Sequence, residues 1–158
     1  EKAHLSLLDA LEAAWTAANP IVHLILQSPY ELLILASIVE KETALAVERP
    51  RIAGVFLERL KRKMRLQTDP TVIYGLGERF DGNLTRKHLR ENTAYNTYRI
   101  DGLPPTPLAL VGPDALEAVA HPDITGELYF VADGRGGHVF SRTLEAHNAN
   151  VRKYQLKQ

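Results

Sequence analysis

The sequence predicts a helix-dominated α+β domain with one β-hairpin, and three observations carry that prediction. Apolar residues recur at helical spacing in segments of ten residues or more. Helix-start signals stand ahead of several of them, at Ser28-Pro29, Arg49-Pro50 and Gly112-Pro113-Asp114. Strand-forming residues gather in two short runs on either side of the glycine-rich turn Asp133-Gly134-Arg135-Gly136-Gly137.

In chain order, a first helix over about Ala3 to Ala18 places Leu7, Leu8, Leu11, Ala14 and Trp15 on one face, and Asn19-Pro20 breaks it. The apolar stretch IVHLIL leads to Ser28, an N-cap followed by proline at the first helical position. The helix that follows, from about Pro29 to Ala46, is apolar on nearly every face and reads as a helix through the middle of the domain. Arg49-Pro50 opens another, with Ile52, Val55, Phe56 and Leu60 on one stripe. It ends in the basic run Arg59 to Arg65 (RLKRKMR), read as a solvated helix end where cations suit the macrodipole, in preference to an anionic-ligand site.

From Leu66 to Leu110 the texture turns polar, with short helical patches at Asp69 to Tyr74 and Thr85 to Glu91. A long polar stretch in a compact domain reads as a binding surface. Gly112-Pro113-Asp114 then opens the helix ALEAVAH, Glu127 to Ala132 (ELYFVA) forms a strand, and His138 to Ser141 (HVFS) returns it. A last helix covers roughly Leu144 to Leu156.

At 158 residues the chain fits one domain with a real core. Lys plus Arg and Asp plus Glu stand at 19 each, so no global field recruits nucleic acid or an anionic membrane. The absence of cysteine removes disulfides, thiol nucleophiles and thiolate metal sites together. No segment approaches the roughly 20 apolar residues that span a bilayer. The chain opens on Glu1-Lys2 without an initiator methionine, which reads as a piece of a longer protein and leaves an upstream membrane anchor open.

The chemistry concentrates in Leu35 to Thr43, LASIVEKET, where Glu40 and Glu42 interrupt the most apolar helix. Two residues apart on a helix they point about 160° away from each other, so both cannot line one cleft. Glu42 shares a face with Leu35 and Ile38, and Glu40 with Leu33 and Ala36, so periodicity barely separates them. A carboxyl among aliphatic side chains has its charged form disfavoured and can stay protonated near neutrality, as a general acid must. The plainer reading leaves both solvated or paired, with Lys41, Glu48 and Arg49 nearby.

Polar residues suited to ligand binding follow. Gln67, Thr68 and Asp69 precede a short helix, and Tyr95, Asn96, Thr97 and Tyr98 precede the rigid Gly102-Leu103-Pro104-Pro105 turn. Asp69-Pro70 also reads as a helix N-cap, and Asn96 and Thr97 as turn formers. His138 is expected either to line the cleft or to satisfy a buried hydrogen bond. His147, beside Asn148, finds no companions at metal-ligand spacing. Ser37 lies inside a helix, not on a strand-turn elbow, and the Asp133 turn lacks the ending of a phosphate loop. Neither metal nor organic cofactor is expected.

Glu42-Thr43 is similar to the Glu-Ser signature of lysozyme-like lytic transglycosylases. More specifically, the chain resembles the MltG/YceG-like endolytic murein transglycosylases through LASIVEKET (35–43), MRLQTDPTVIYGLG (64–77), AYNTYRIDGLPPTP (94–107), AHP (120–122), LYFVADGRGGHVFS (128–141) and HN (147–148). These run in the family's order over about Leu35 to Tyr154. The resemblance implies residues 1–27 as a helical connection toward an N-terminal LysM-like subdomain, and 28–158 as a catalytic domain with a lysozyme-like fold.

It further implies that Glu42 cleaves the MurNAc–GlcNAc β-1,4 bond within peptidoglycan strands and leaves a 1,6-anhydroMurNAc end. Glu40, Gln67, Thr68, Asp69, Tyr95, Asn96, Thr97, Tyr98 and His138 would then hold the substrate, with Tyr95-Asn96 matching a cleft Tyr-Asn pair. The implied setting is the periplasmic or extracytoplasmic side of the bacterial cytoplasmic membrane, reached by an anchor upstream, with cell-wall synthases as partners. Two other classes stay open: a muramidase-type hydrolase using Asp69 or Glu40 as second carboxylate, and a peptidoglycan-binding module without catalysis.

Overall fold

The computed structural model describes residues 2–155, with side chains from residue 6 onward. Among the described residues the helices are α1 (Lys2–Ala17), α2 (Pro20–Ile25), α3 (Pro29–Glu42), α4 (Arg49–Lys61), α5 (Asp69–Leu76), α6 (Arg86–Arg90), α7 (Pro113–Ala120) and α8 (Leu144–Tyr154). A single antiparallel hairpin among the described residues, β1 (Tyr129–Ala132) and β2 (His138–Ser141), lies between α7 and α8 in sequence. The expected α+β class with one hairpin is what the chain adopts.

Helix α3 is the central element. Leu32, Leu35, Ala36, Ile38 and Val39 lose all solvent contact, because α3 packs on α4 on one side and on α1 and α7 on others. Its start follows the expected chemistry: Ser28 Oγ accepts from the Glu31 N–H, and Pro29 occupies the first turn. Its end does not. The helix stops at Glu42, four residues short of the expected Ala46. Thr43 turns extended and its Oγ1 accepts from the Leu45 N–H, a local side-chain turn that outcompetes another helical residue. Residues Ala46–Glu48 then form a 3₁₀ turn that feeds α4.

The IVHLIL stretch is helical, as α2, with Asn19 Oδ1 accepting from the Ile21 N–H and Pro20 in the first turn. Leu11, Ala18, Val22 and Leu26 belong to the same apolar core as α3, α4 and α7, and the Asn19 N–H donates to Ala120 O at 2.8 Å. The expected final helix reaches Tyr154, and Leu156 lies outside the described residues.

The hairpin pairs Tyr129 with Ser141 and Ala132 with His138. Asp133 Oδ1 accepts from the N–H groups of Arg135 and Gly137 and shapes the turn, where Gly134 and Gly136 take positive φ. Phe130 sets its ring edge-on to Phe56 of α4 at 5.7 Å, which ties the sheet to the helical core. Gly54 of α4 allows a very close backbone approach. A Cβ there would collide with Asp123 O, and the Asp123 N–H reaches Pro50 O at 3.0 Å.

Candidate active site

A cleft of about 560 Å³ opens between the helical core and the hairpin, a size suited to a few sugar rings or a comparable polar ligand. Glu42 enters it from the last residue of α3. Val55, Phe56 and Arg59 enter from α4, and the segment Leu66 to Asp69 supplies a third side. Tyr98 closes that side, Leu128 to Ala132 and His138 supply the hairpin wall, and Leu144, His147, Asn148, Val151 and Gln155 complete the rim.

Burial pushes the Glu42 carboxyl above its ordinary value of 4.5, and this outweighs the Thr68 hydrogen bond and the His138 charge, both of which pull it down. Asp69 adds a small upward push as a like charge. Thr68 Oγ1 donates to Glu42 Oε2 at 2.5 Å and fixes the carboxyl. Thr68 is itself fixed from beneath, since its N–H donates to Thr97 Oγ1 at 2.9 Å and its carbonyl accepts from Thr71 Oγ1 at 2.8 Å.

His138 faces the cleft while Glu48 holds its back. The His138 backbone N–H donates to Glu48 Oε2 at 2.9 Å, and ring Nδ1 lies 2.8 Å from Glu48 Oε1. Thr43 Oγ1 also approaches Glu48 Oε1, at 3.5 Å, so the residue after Glu42 and the hairpin share one anchor. His138 thus does both things expected of it: it lines the cleft and it satisfies a hydrogen bond. Tyr98 donates its hydroxyl to Asp69 Oδ1 at 2.7 Å, and burial pushes its phenol above the ordinary value, helped by that bond.

The cleft gathers Glu42, Gln67, Thr68, Asp69, Tyr98 and His138 from the residues singled out in the sequence. It does not gather Glu40, Tyr95, Asn96 or Thr97. Glu40 points to the opposite side of α3, where Oε1 accepts from the Gly112 N–H at 2.9 Å and Oε2 pairs with Arg49 at 3.2 Å. Asn96, 1% exposed, spends its amide on the carbonyls of Leu89 and Glu91 and its Oδ1 on the Tyr98 N–H. Tyr95 packs against Tyr74 and exchanges a hydrogen bond with Thr106. Thr97 is buried beneath Thr68.

Substrate contact by these four is therefore corrected to support: Asn96 and Thr97 shape the loop that presents Tyr98 and Thr68. The N-cap reading of Asp69 is corrected as well, because Thr68 occupies the cap position and Asp69 is the first helical residue, bonded to Tyr98.

A family model described as the YceG-like family matches residues 3–153, nearly the whole chain. The chain belongs to the YceG-like family. An endolytic murein transglycosylase from Bacillus subtilis is 46% identical over 80% of this chain and 35% of its own length. One from Streptococcus pneumoniae is 35% identical over 94% of this chain and 29% of its own length. The chain therefore spans about a third of the length of these curated relatives. The crystal structure of a yceG-like protein from Listeria monocytogenes superposes with a TM-score of 0.73 at 45% identity, covering 78% of this chain and 40% of that one.

For this YceG-like chain, three parts of the site escape a reading of the sequence. Arg59 sits in a basic run that reads as solvated, yet it is 7% exposed and lies in the cleft wall. Its place on the same helical face as Ile52, Val55 and Phe56 is the signal that could have found it. Tyr129 and His147 stack at 5.0 Å across the sheet–helix contact, a pairing no local pattern announces. Glu48 reads in sequence only as a possible ion-pair partner, and its bond to His138 spans 90 residues.

Proposed function

We propose that this domain is a peptidoglycan lytic transglycosylase that cuts the MurNAc–GlcNAc β-1,4 bond inside glycan strands, with Glu42 as its only acid/base. The observation that carries the reading is a desolvated carboxyl at the end of a buried helix, held by one hydroxyl and facing an open cleft. Membership of the YceG-like family and the names of the curated relatives supply the substrate class.

Burial favours the protonated form of Glu42, which donates its proton to the glycosidic oxygen as the muramoyl C1–O bond breaks, and the GlcNAc 4-hydroxyl departs. The resulting carboxylate accepts the proton of the muramoyl 6-hydroxyl, whose oxygen bonds C1 and closes the 1,6-anhydro ring. No water is consumed and Glu42 returns to its starting state. The intramolecular hydroxyl stands in for a water that a second carboxylate would have to activate. The site of action that accompanies this reading is the outer face of the cytoplasmic membrane, with a membrane anchor upstream of this domain and cell-wall synthases as neighbours.

Asp69 favours one second reading, since it places another carboxylate in the same cleft and would suit a hydrolase. Its hydrogen bond from Tyr98 and its exposed position make it a structural partner here. Mass spectrometry of digested glycan strands decides: 1,6-anhydro ends are expected, and reducing ends would establish hydrolysis instead. Glu42→Gln should abolish strand cutting by at least about a hundredfold, the scale of general acid–base catalysis, while strand binding persists. Cutting that survives the change removes Glu42 from the mechanism.

A further inference from the structure

The cleft holds a second polar feature that the proton chemistry of Glu42 does not use. Arg59 rises from α4 into the cleft wall, and among the described residues no carboxylate pairs with it. Its Nε donates to Leu128 O at 2.7 Å and its Nη1 to Arg65 O at 2.7 Å, both neutral acceptors. These two bonds fix the guanidinium plane, and the Tyr129 ring lies 5.0 Å from its carbon. Nη2 has no acceptor among the described residues and keeps solvent contact, in a residue that lines the cleft.

Beside it His147, stacked on Tyr129, carries an enclosed Nδ1 without a partner among the described residues. Burial and the Arg59 charge both lower the His147 pKa, which favours the neutral imidazole there. A buried cation satisfied only by neutral oxygens costs free energy that an incoming anion would recover. A guanidinium with a fixed plane and one free nitrogen can give a carboxylate a charge-assisted hydrogen bond.

We propose that Arg59, with His147 beside it, forms a carboxylate-recognition subsite in the cleft, which reads the acid group carried by the muramoyl side chain of the strand. This rests on the glycan-cutting function proposed above and makes it selective. The carboxylate has two sources in peptidoglycan: the free lactyl group of a peptide-stripped muramoyl residue, or a carboxylate of an attached stem peptide.

Calorimetric titration of the full chain carrying Glu42→Gln tests this, with four probes that are then not consumed. They are a GlcNAc–MurNAc tetrasaccharide with free lactyl carboxylates, its lactyl carboxamide, and the stem-peptide-bearing tetrasaccharide with and without amidated peptide carboxyls. Binding about tenfold or more tighter to a charged probe than to its amide is expected, as for a charge-assisted hydrogen bond. Preference for the lactyl acid over its carboxamide assigns the peptide-stripped strand, and preference confined to the peptide-bearing pair assigns the stem. Arg59→Gln should bring the ratio close to one, and Arg59→Lys should retain part of it. Equal affinities for charged and neutral probes with Arg59 present overturn the subsite and leave the strand-cutting function standing, whether or not Arg59→Gln folds. A ratio unchanged in Arg59→Lys and Arg59→Gln overturns it equally. Failure of every probe to bind overturns the function as well.

Discussion

Glu42 and Glu40 show how little separates a cleft carboxylate from a structural one along a chain. Both leave the same helix two residues apart. One meets a desolvating cleft and a single hydroxyl donor, the other a guanidinium and a backbone N–H. Burial raises the Glu42 pKa in the fold above the 4.5 of the open chain. A raised pKa means that folding favours the protonated form. The associated stability is complete below the unfolded value and is lost as pH rises through the folded one. Glu42→Gln, which stays neutral, should therefore match the parent protein in melting temperature near pH 4 and exceed it increasingly toward neutral pH. Melting curves across that range check this, and a gap that shrinks with rising pH would contradict the burial argument.

At the scale of elements, the site depends on the hairpin being held against the α3–α4 junction. Glu48, in the 3₁₀ turn between those helices, accepts from the His138 N–H, contacts the His138 ring and takes the Thr43 hydroxyl. Glu48→Ala leaves a part-buried backbone N–H unpaired and frees the ring, at a cost of roughly 1–3 kcal/mol. The expected result is a lower denaturant midpoint together with at least about a tenfold fall in strand cutting, because His138 no longer faces Glu42 from a fixed position. An enzyme that melts earlier but cuts at the parent rate would show that the hairpin anchor serves the fold alone. Gln67 makes a related point. It lines the cleft at φ +50, a left-handed conformation that a non-glycine residue adopts only under constraint, and its N–H is bonded to Thr97 O.

Across the whole molecule, the helices form a frame around α3, and the cleft opens where α3 ends, at Glu42. Glu40 belongs to the frame: it joins α3 to Arg49 at the start of α4 and to Gly112 at the start of α7. Glu40→Ala should cost roughly 1–3 kcal/mol by stranding the Arg49 guanidinium and the Gly112 N–H. Strand-cutting rate in the folded population should remain within a factor of about two, since no cleft residue loses a partner. Urea unfolding and a cutting assay at low temperature measure the two effects separately. A stable variant with lost activity would move Glu40 back into the substrate site.

The sequence by itself determined the helical frame, the hairpin and the apolar helix that carries the two glutamates, because these follow from local rules. Periodicity located α3 and α4, Ser28-Pro29 and Gly112-Pro113 marked helix starts, and the Asp133–Gly137 turn set the strand pairing. The polar stretch supplied Thr68, Asp69 and Tyr98 as cleft residues for the same reason: their chemistry is legible one residue at a time. Only the tertiary structure decided between the two glutamates, since a helix apolar all round gives no inside or outside until α4, α7 and the hairpin choose its faces. It also turned Asn96 and Thr97 inward and brought Arg59 out of a run of exposed cations into the cleft wall. Those assignments rest on contacts such as Arg59 with Leu128, 69 residues apart, and a pattern read over a few turns of helix carries no information at that range.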